Sequence, residues 1–470
     1  MAAPTTQTTR NRILYHYWGY SFEWTSLHRS KSELEPWTRT CDTLADDALE
    51  VLNEIPSPSG KAATAAAAEK PTKRDLYAVL RENYRTNPKL EELWAHVNTV
   101  PDWVDWDQIR RGQNVFYRYG IPINNVLLYE SLLGGMAALS APQILSLTGG
   151  FAANVVRRRL LETVQHTLQV TRSVESIKPG GDGHISSVRV RLLHSNVRNR
   201  ILTLAAKSPQ YYDVKKYGIP ANDLDSLGTI VTFSTLVVWV GLPRQGIVLS
   251  KQEIEDYIAL WRLVAHYMGA PTDPFRDLVT ARAYMESILV SEFQPNDTGR
   301  ILAQNIVLGL ENTPPTYTSK GYMEAMARLL NGDELADQLH LPRSNFYYKC
   351  LMFGYCVLVR LMAHATARSG FVDRFIIATN RRLMWHHLID GKDGLGKETT
   401  FTFKYIPNLK RSTRPGQQKQ YSLLLKRPGF EVLSYAGLLS TILAAVAITS
   451  ILRIVLRAAA ALTTTLPGVI

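Results

Sequence analysis

Cysteine is almost absent from this chain: Cys41, Cys350 and Cys356 are the only three in 470 residues. That excludes a disulfide framework and any four-cysteine zinc or iron–sulfur centre. Cys350 and Cys356 fall in the apolar run YYKCLMFGYCVLVRLM, where buried, inert thiols are expected. Zinc-finger spacing and nucleic-acid recognition motifs are missing too, so the formal net charge of +12 points to an acidic membrane leaflet ahead of nucleic acid. A merely soluble basic protein fits that charge equally well. The first twelve residues are polar and lack an apolar core, so no secretory signal is expected. Internal repeats are lacking, and no convincing series of alternating strands appears.

What is present is apolar material in helical period. Hydrophobic residues make up 46% and charged residues 20%, the balance of a globular chain with a sizeable core. Residues 1–56 read as an aromatic N-terminal arm, with YHYWGYSFEW as a clamp or interface cluster and an amphipathic helix over Thr43–Ile55. Residues 57–73 are a low-complexity insertion rich in alanine. A helical body is expected over 74–390. Within it, Ser250-x-x-Glu253 is a capping box opening a helix to Met268. Ser131–Val156 carries no charge, but its glycines and Pro142 break it, which suits a cavity wall better than a membrane span. The expected fold class is all-α, a single large helical domain.

Residues 391–431 lose periodicity and read as a basic linker. Val432–Leu452 then runs without a charge, and about 20 such residues span a bilayer. With 453–470 as a short tail, this predicts a C-terminal transmembrane anchor. Lys426 and Arg427 upstream place the body in the cytosol. Arg453 and Arg457 downstream leave a helix lying in the interface, or a buried one, as alternatives.

The chemistry gathers between Val155 and Ala206, two helix-length segments separated by a glycine-rich break at Pro179–Gly183. Val190, His194, Val197 and Ile201 share one helical face, so His194 points inward with Arg198 one turn away. In the first segment Arg159 and Thr163 are one turn apart, beside Glu162. A buried histidine facing a polar patch on a neighbouring helix is what an axially ligated haem needs. A lone histidine on an apolar stripe is also an ordinary core residue. His166 and His266 read as packing residues, and His386, His387 and Asp390 lack the spacing of a metal site.

The pair Arg-x-x-x-Thr (Arg159, Thr163) and Val-Arg-x-x-His-x-x-x-Arg (Val190, Arg191, His194, Arg198) resembles the rubber oxygenase family, with its bacterial latex-clearing proteins and fungal ER-bound MpaB-type oxygenases. WGYSFEW from Trp18, YGIPAND from Tyr217 and WRLVAHYMG from Trp261 are similar to its fungal branch. The resemblance implies a globin-like core holding haem b. His194 would be the proximal iron ligand and Arg198 a propionate partner. Arg159 and Thr163 would lie on the distal side. Bacterial members carry a lysine just before the threonine, where this chain has Glu162. Closed-state ligation through that position is therefore in doubt, and a pocket-facing Glu162 would act as an acid or base with a pKa raised by desolvation.

The expected function is a membrane-anchored, haem-dependent oxygenase in the endoplasmic reticulum. It would use dioxygen on a double bond of an apolar, isoprenoid-type substrate, as in fungal secondary metabolism. The alternative is a haem-free, membrane-tethered binding or scaffold protein on the same fold.

Overall fold

A computed structural model of the chain describes residues 5–9, 12–56, 74–396, 413–417 and 429–464. The insertion at 57–73 and most of the linker at 391–431 lie outside the described residues. Helices dominate, as the apolar periodicity predicts. They are α1 Thr43–Glu54, α2 Leu76–Asn83, α3 Pro88–Asn98 and α4 Trp106–Arg118, then a π-helical segment Val126–Leu133. Next come α5 Ala141–Thr148, α6 Val156–Thr171, α7 Asp182–Lys207 and α8 Asp223–Phe233. The body closes with α9 Lys251–Tyr267, α10 Leu278–Ser291, α11 Asp297–Leu310, α12 Lys320–Asn331, α13 Phe346–Arg368 and α14 Gly370–Trp385. A final helix, α15, covers Val432–Thr464.

Caps fix where these helices start. Ser250 Oγ accepts from Glu253 N while Glu253 accepts from Ser250 N at 2.9 Å, the expected capping box at the head of α9. Asp42, Asn296, Ser319 and Asn345 cap α1, α11, α12 and α13 with a single side-chain bond each, without the return bond of the box. Packing then does most of the work. α9 lies along α4 and buries Tyr257, Trp261 and Tyr267 in the main core, each fully buried aromatic contributing about 2 to 3 kcal/mol. α7 spans two satellite cores. Its first half packs Val188 and Leu192 with α1–α3, and its second half packs Ile201 and Ala205 against Ile144 of α5. His194 sits on the stretch between.

One expectation needed revision. The aromatic arm is not only a cluster but a three-stranded antiparallel sheet, β1 Thr5–Thr9, β2 Arg12–Tyr17 and β3 Tyr20–Glu23, in that spatial order. β2 and β3 pair with Tyr17 opposite Tyr20, and their tight turn places Trp18 and Gly19 at φ 53° and 74°. The charge-free stretch Ser131–Val156 breaks as predicted, into the end of the π segment, a 3-10 turn at Gly134–Ala137, α5 and the start of α6.

Three helical stretches are long and apolar enough to cross a membrane: Asp223–Arg244, Phe346–Arg368 and Val432–Arg457. The first is 61% buried in the body, the second 33% and the last 0%, so α15 is the stretch that the body covers least. Such surface in water is costly, and its exposure suggests membrane association. Only the first turns of α15 touch the body. Ser434, Gly437 and Leu438 meet Gly354 on α13, and Ser434 Oγ lies 2.9 Å from the Tyr322 hydroxyl of α12. Glycine on both sides brings the two backbones together, and a Cβ at Gly437 would overlap the Gly354 carbonyl.

Candidate functional site

The two motif-bearing segments become α6 and α7, and they pack against each other. Their return is tight because glycines line it. A Cβ on Gly181 would overlap the Glu175 carbonyl, and one on Gly183 would lie 2.7 Å from the Gln169 carbonyl. Ser186 Oγ, one turn into α7, donates to Gly183 O at 3.0 Å and lies 3.0 Å from His166 Nδ1 on α6. The sequence therefore folds so that α7 runs back along the face of α6 that carries His166.

His194 holds the centre of this pairing. Its pKa is pushed down to about 4, first by burial and then by the charges of Arg198 and Arg159, with Asp42 opposing. His166 is likewise pushed to about 4, by burial and by His194. Arg159 from α6 and His194 from α7 thus lie within electrostatic reach of each other, which joins the two halves of the motif. At neutral pH His194 is a neutral imidazole, the form that ligates a metal. It retains some exposed surface, and among the described residues no hydrogen bond reaches either ring nitrogen. A core histidine would normally be hydrogen-bonded. An unbonded neutral imidazole in an arginine-flanked interhelical space fits an axial haem ligand.

Around it, Arg159 lies over Gly150, where a Cβ would come within 3.1 Å of Arg159 Nε. Its Nη1 donates to Glu162 Oε2 at 3.1 Å, while Arg158 Nε donates to Glu162 Oε1 at 3.2 Å. Both carboxylate oxygens of Glu162 are therefore held by arginines. The expected acid–base role finds no support in that arrangement. Thr163 is exposed on a helix whose neighbours are largely buried, and its hydroxyl donates to Arg159 O at 3.2 Å. That back-bond to the preceding turn leaves both oxygen lone pairs accessible.

Arg198 is used differently from the expectation, being neither solvated nor open to a propionate. Its Nε and Nη2 each donate to Asp46 at 2.8 Å, and its Nη1 donates to Ala221 O at 2.7 Å. Arg191, one helical repeat earlier, is bound in the same way by both oxygens of Asp42, at 2.6 and 2.7 Å. Sequence reading missed Asp42 and Asp46. They stand one turn apart at the head of α1 and strap it to α7. Arg191 also lies 3.1 Å from His96 Nδ1, and His96 stacks on His266 with ring centroids 4.7 Å apart. His266 is thus a packing residue, as expected. Among the described residues no group of three or more histidines, cysteines or carboxylates is arranged to hold a metal ion.

A helical body with a neutral histidine on one of two paired inner helices, carrying an apolar helix at its end, defines an all-α protein built around an interhelical histidine site. The catalytic-domain family described as ER-bound oxygenase mpaB/B′ and rubber oxygenase matches residues 118–364, more than half of the chain, which belongs to that family. The matched span contains α6 and α7 entire and stops inside α13. Among solved structures, latex clearing protein LCP in its closed state superposes with a TM-score of 0.53 at 17% identity, over 74% of this chain and 91% of that one. At that identity the likeness shows the fold. Aurantioclavine synthase cnsA of Penicillium expansum is 35% identical over 91 residues, 19% of this chain. The chain spans only 18% of that relative's length.

Proposed function

We propose that this chain is a haem b-dependent oxygenase, anchored in a membrane by α15, that oxidises a double bond of an apolar, isoprenoid-type substrate with dioxygen. The observation that carries the reading is His194: a neutral imidazole, unbonded by the described protein, between the charges of Arg159 and Arg198. Bound haem would supply the iron that activates dioxygen, chemistry that side chains alone do not provide. His194 would hold its iron. Arg159 contributes fixed positive charge on the opposite helix, and the exposed Thr163 hydroxyl, which would have to release Arg159 O to donate elsewhere, stands one turn away. Glu162 acts as a positioning residue, fixing Arg159 through an ion pair of low exposure. Arg198 and Asp46 are assigned to holding α7 in place rather than to the cofactor.

The apolar substrate reading is supported by the uncovered helix α15, since a substrate dissolved in lipid is reached from lipid. Residence in the endoplasmic reticulum with a cytosolic body is part of the proposal; the basic residues ahead of that helix and the family's description as ER-bound support it. The deciding experiment is an absorption spectrum of detergent-purified protein with a pyridine haemochrome assay. An equimolar b-type haem, lost in His194→Ala, is the expected result. A chain that takes up no haem even after reconstitution would sink the oxygenase reading and leave a membrane-tethered binding protein.

A further inference from the structure

A cavity of about 530 Å³, outside the matched helix pair, opens between α12, the segment that follows it and α13. Its wall is strongly basic: Arg244, Arg328, Arg343, Lys349 and Arg360 face one carboxylate, Asp333. Three of these cations are already satisfied. Arg328 is bound by Asp333 at 2.8 Å and Asp337 at 2.5 Å, and Arg343 by Asp337 at 2.7 Å. Arg244 reaches Glu130 at 3.4 Å and two main-chain carbonyls. Lys349 and Arg360 have no carboxylate partner among the described residues. Uncompensated positive charge at the mouth of a cavity attracts an anion.

The cavity also has a shaped seat for one of those cations. Gly246, at φ +81°, lies directly under the Arg360 guanidinium, and any Cβ there would overlap it. The remaining wall is apolar. Met352, Phe353, Cys356 and Val357 of α13 line it on the same helical face as Lys349 and Arg360. Phe353 and, two turns earlier, Phe346 continue that face outward as exposed aromatics. On an adjacent face of the same helix, Gly354 meets α15 where that helix leaves the body. A basic cleft with an aromatic apron therefore lies at the level where the apolar helix departs.

We propose that this cleft binds the phosphate headgroup of an acidic phospholipid. Arg360, seated over Gly246, grips the phosphate, Lys349 three turns away adds to the positive charge of the wall, and the acyl chains lie on Phe353 and Phe346. The proposal rests on the reading of α15 as membrane-embedded. Ammonium and guanidinium groups together suit a phosphate oxyanion, aromatic rings suit the headgroup boundary, and zwitterionic lipid lacks the net charge to replace the missing carboxylates.

The test uses the full chain in a non-ionic detergent, titrated with dioctanoyl phosphatidic acid and followed by native mass spectrometry. Binding of phosphatidic acid but not of dioctanoyl phosphatidylcholine is expected, weakened about tenfold or more in Lys349→Gln/Arg360→Gln. Arg360→Lys, which keeps the charge, should retain most of the affinity and controls for folding. Equal binding of the two lipids, or undiminished binding by the double variant, would overturn the assignment. So would competition by inorganic phosphate at the same concentration as phosphatidic acid, which would make the cleft a general anion site. Carbonate extraction of membranes carrying the full chain reads the anchor separately. Release of the wild type there would refute the membrane reading, while the detergent titration still reports on the cleft.

Discussion

Single side chains in the α6–α7 pair make the folded body sensitive to acid in a definite direction. His194 and His166 are both pushed to about 4, below the ordinary histidine value of about 6.5. Each therefore takes its proton more readily in the unfolded chain. Their contribution to stability is intact above pH 6.5 and is lost as pH falls toward 4. Between pH 7.5 and 5 the loss is roughly 2 kcal/mol per histidine in the haem-free chain. Buried Glu130 and half-buried Asp225, raised to about 8 and 7, work in the opposite sense, so the comparison must be with a variant. Urea unfolding of His166→Gln should show a flatter acid limb than the wild type; identical limbs would refute the burial of that ring. Arg198 offers a second test. Replacing it with Met strands Asp46 in a largely buried site and should cost about 3 kcal/mol by denaturant melting. Arg198→Lys, folded but weaker, should keep its haem, and loss of haem there would restore the propionate role. The inward histidine was legible because its partners on the stripe are three and four residues away. Asp46 was not, since the arginine it binds lies 152 positions along the chain.

At the scale of elements, periodicity and a cap placed the helices over Thr43–Ile55 and from Ser250 to Met268 to within a residue or two. The capping box at Ser250 marked α9 because that signal is entirely local. The N-terminal sheet was hidden for the opposite reason. Its strands are only four to six residues long, too short for a clear two-residue alternation, and its turn holds a tryptophan at positive φ, a conformation bulky residues seldom take. The meeting of α13 and α15 was equally invisible, because each glycine in the contact reads as a helix-weakening residue until the other is opposite it. Gly437→Leu should separate them. The variant should remain membrane-bound, since its apolar length is unchanged, yet amide exchange in the first half of α13 should quicken relative to wild type. Unaltered exchange would mean that the contact holds nothing in place.

For the molecule as a whole, the body and its last helix are expected to part company cleanly. Removing residues 431–470 deletes the uncovered apolar surface of α15, and with it the packing of Ser434, Gly437 and Leu438 on α13 and the bond from Ser319 N to Glu431, while the helices of the main core remain. The truncated chain should move to the soluble fraction, and its haem content should match that of the full chain. Persistence in the membrane pellet would transfer the anchoring role to the exposed aromatics of α13 and α14, among them Phe353, Phe371 and Phe375. Composition already separated a charged, globular body from a charge-free terminal stretch. It could not show that the two are joined by packed helices rather than only by the linker, because that depends on a contact between residues more than eighty positions apart.

Where Gly354 meets Gly437 there is no cushion of side chains between the two helices. On the membrane reading, the shaft that enters the lipid also sets the compass heading of everything above it. A body on a slack leash would roam over the leaflet and tumble. This one is planted like a weathervane with a seized bearing, always turning the same flank to the oil beneath, so that whatever diffuses up from the bilayer meets the same doorway on every approach.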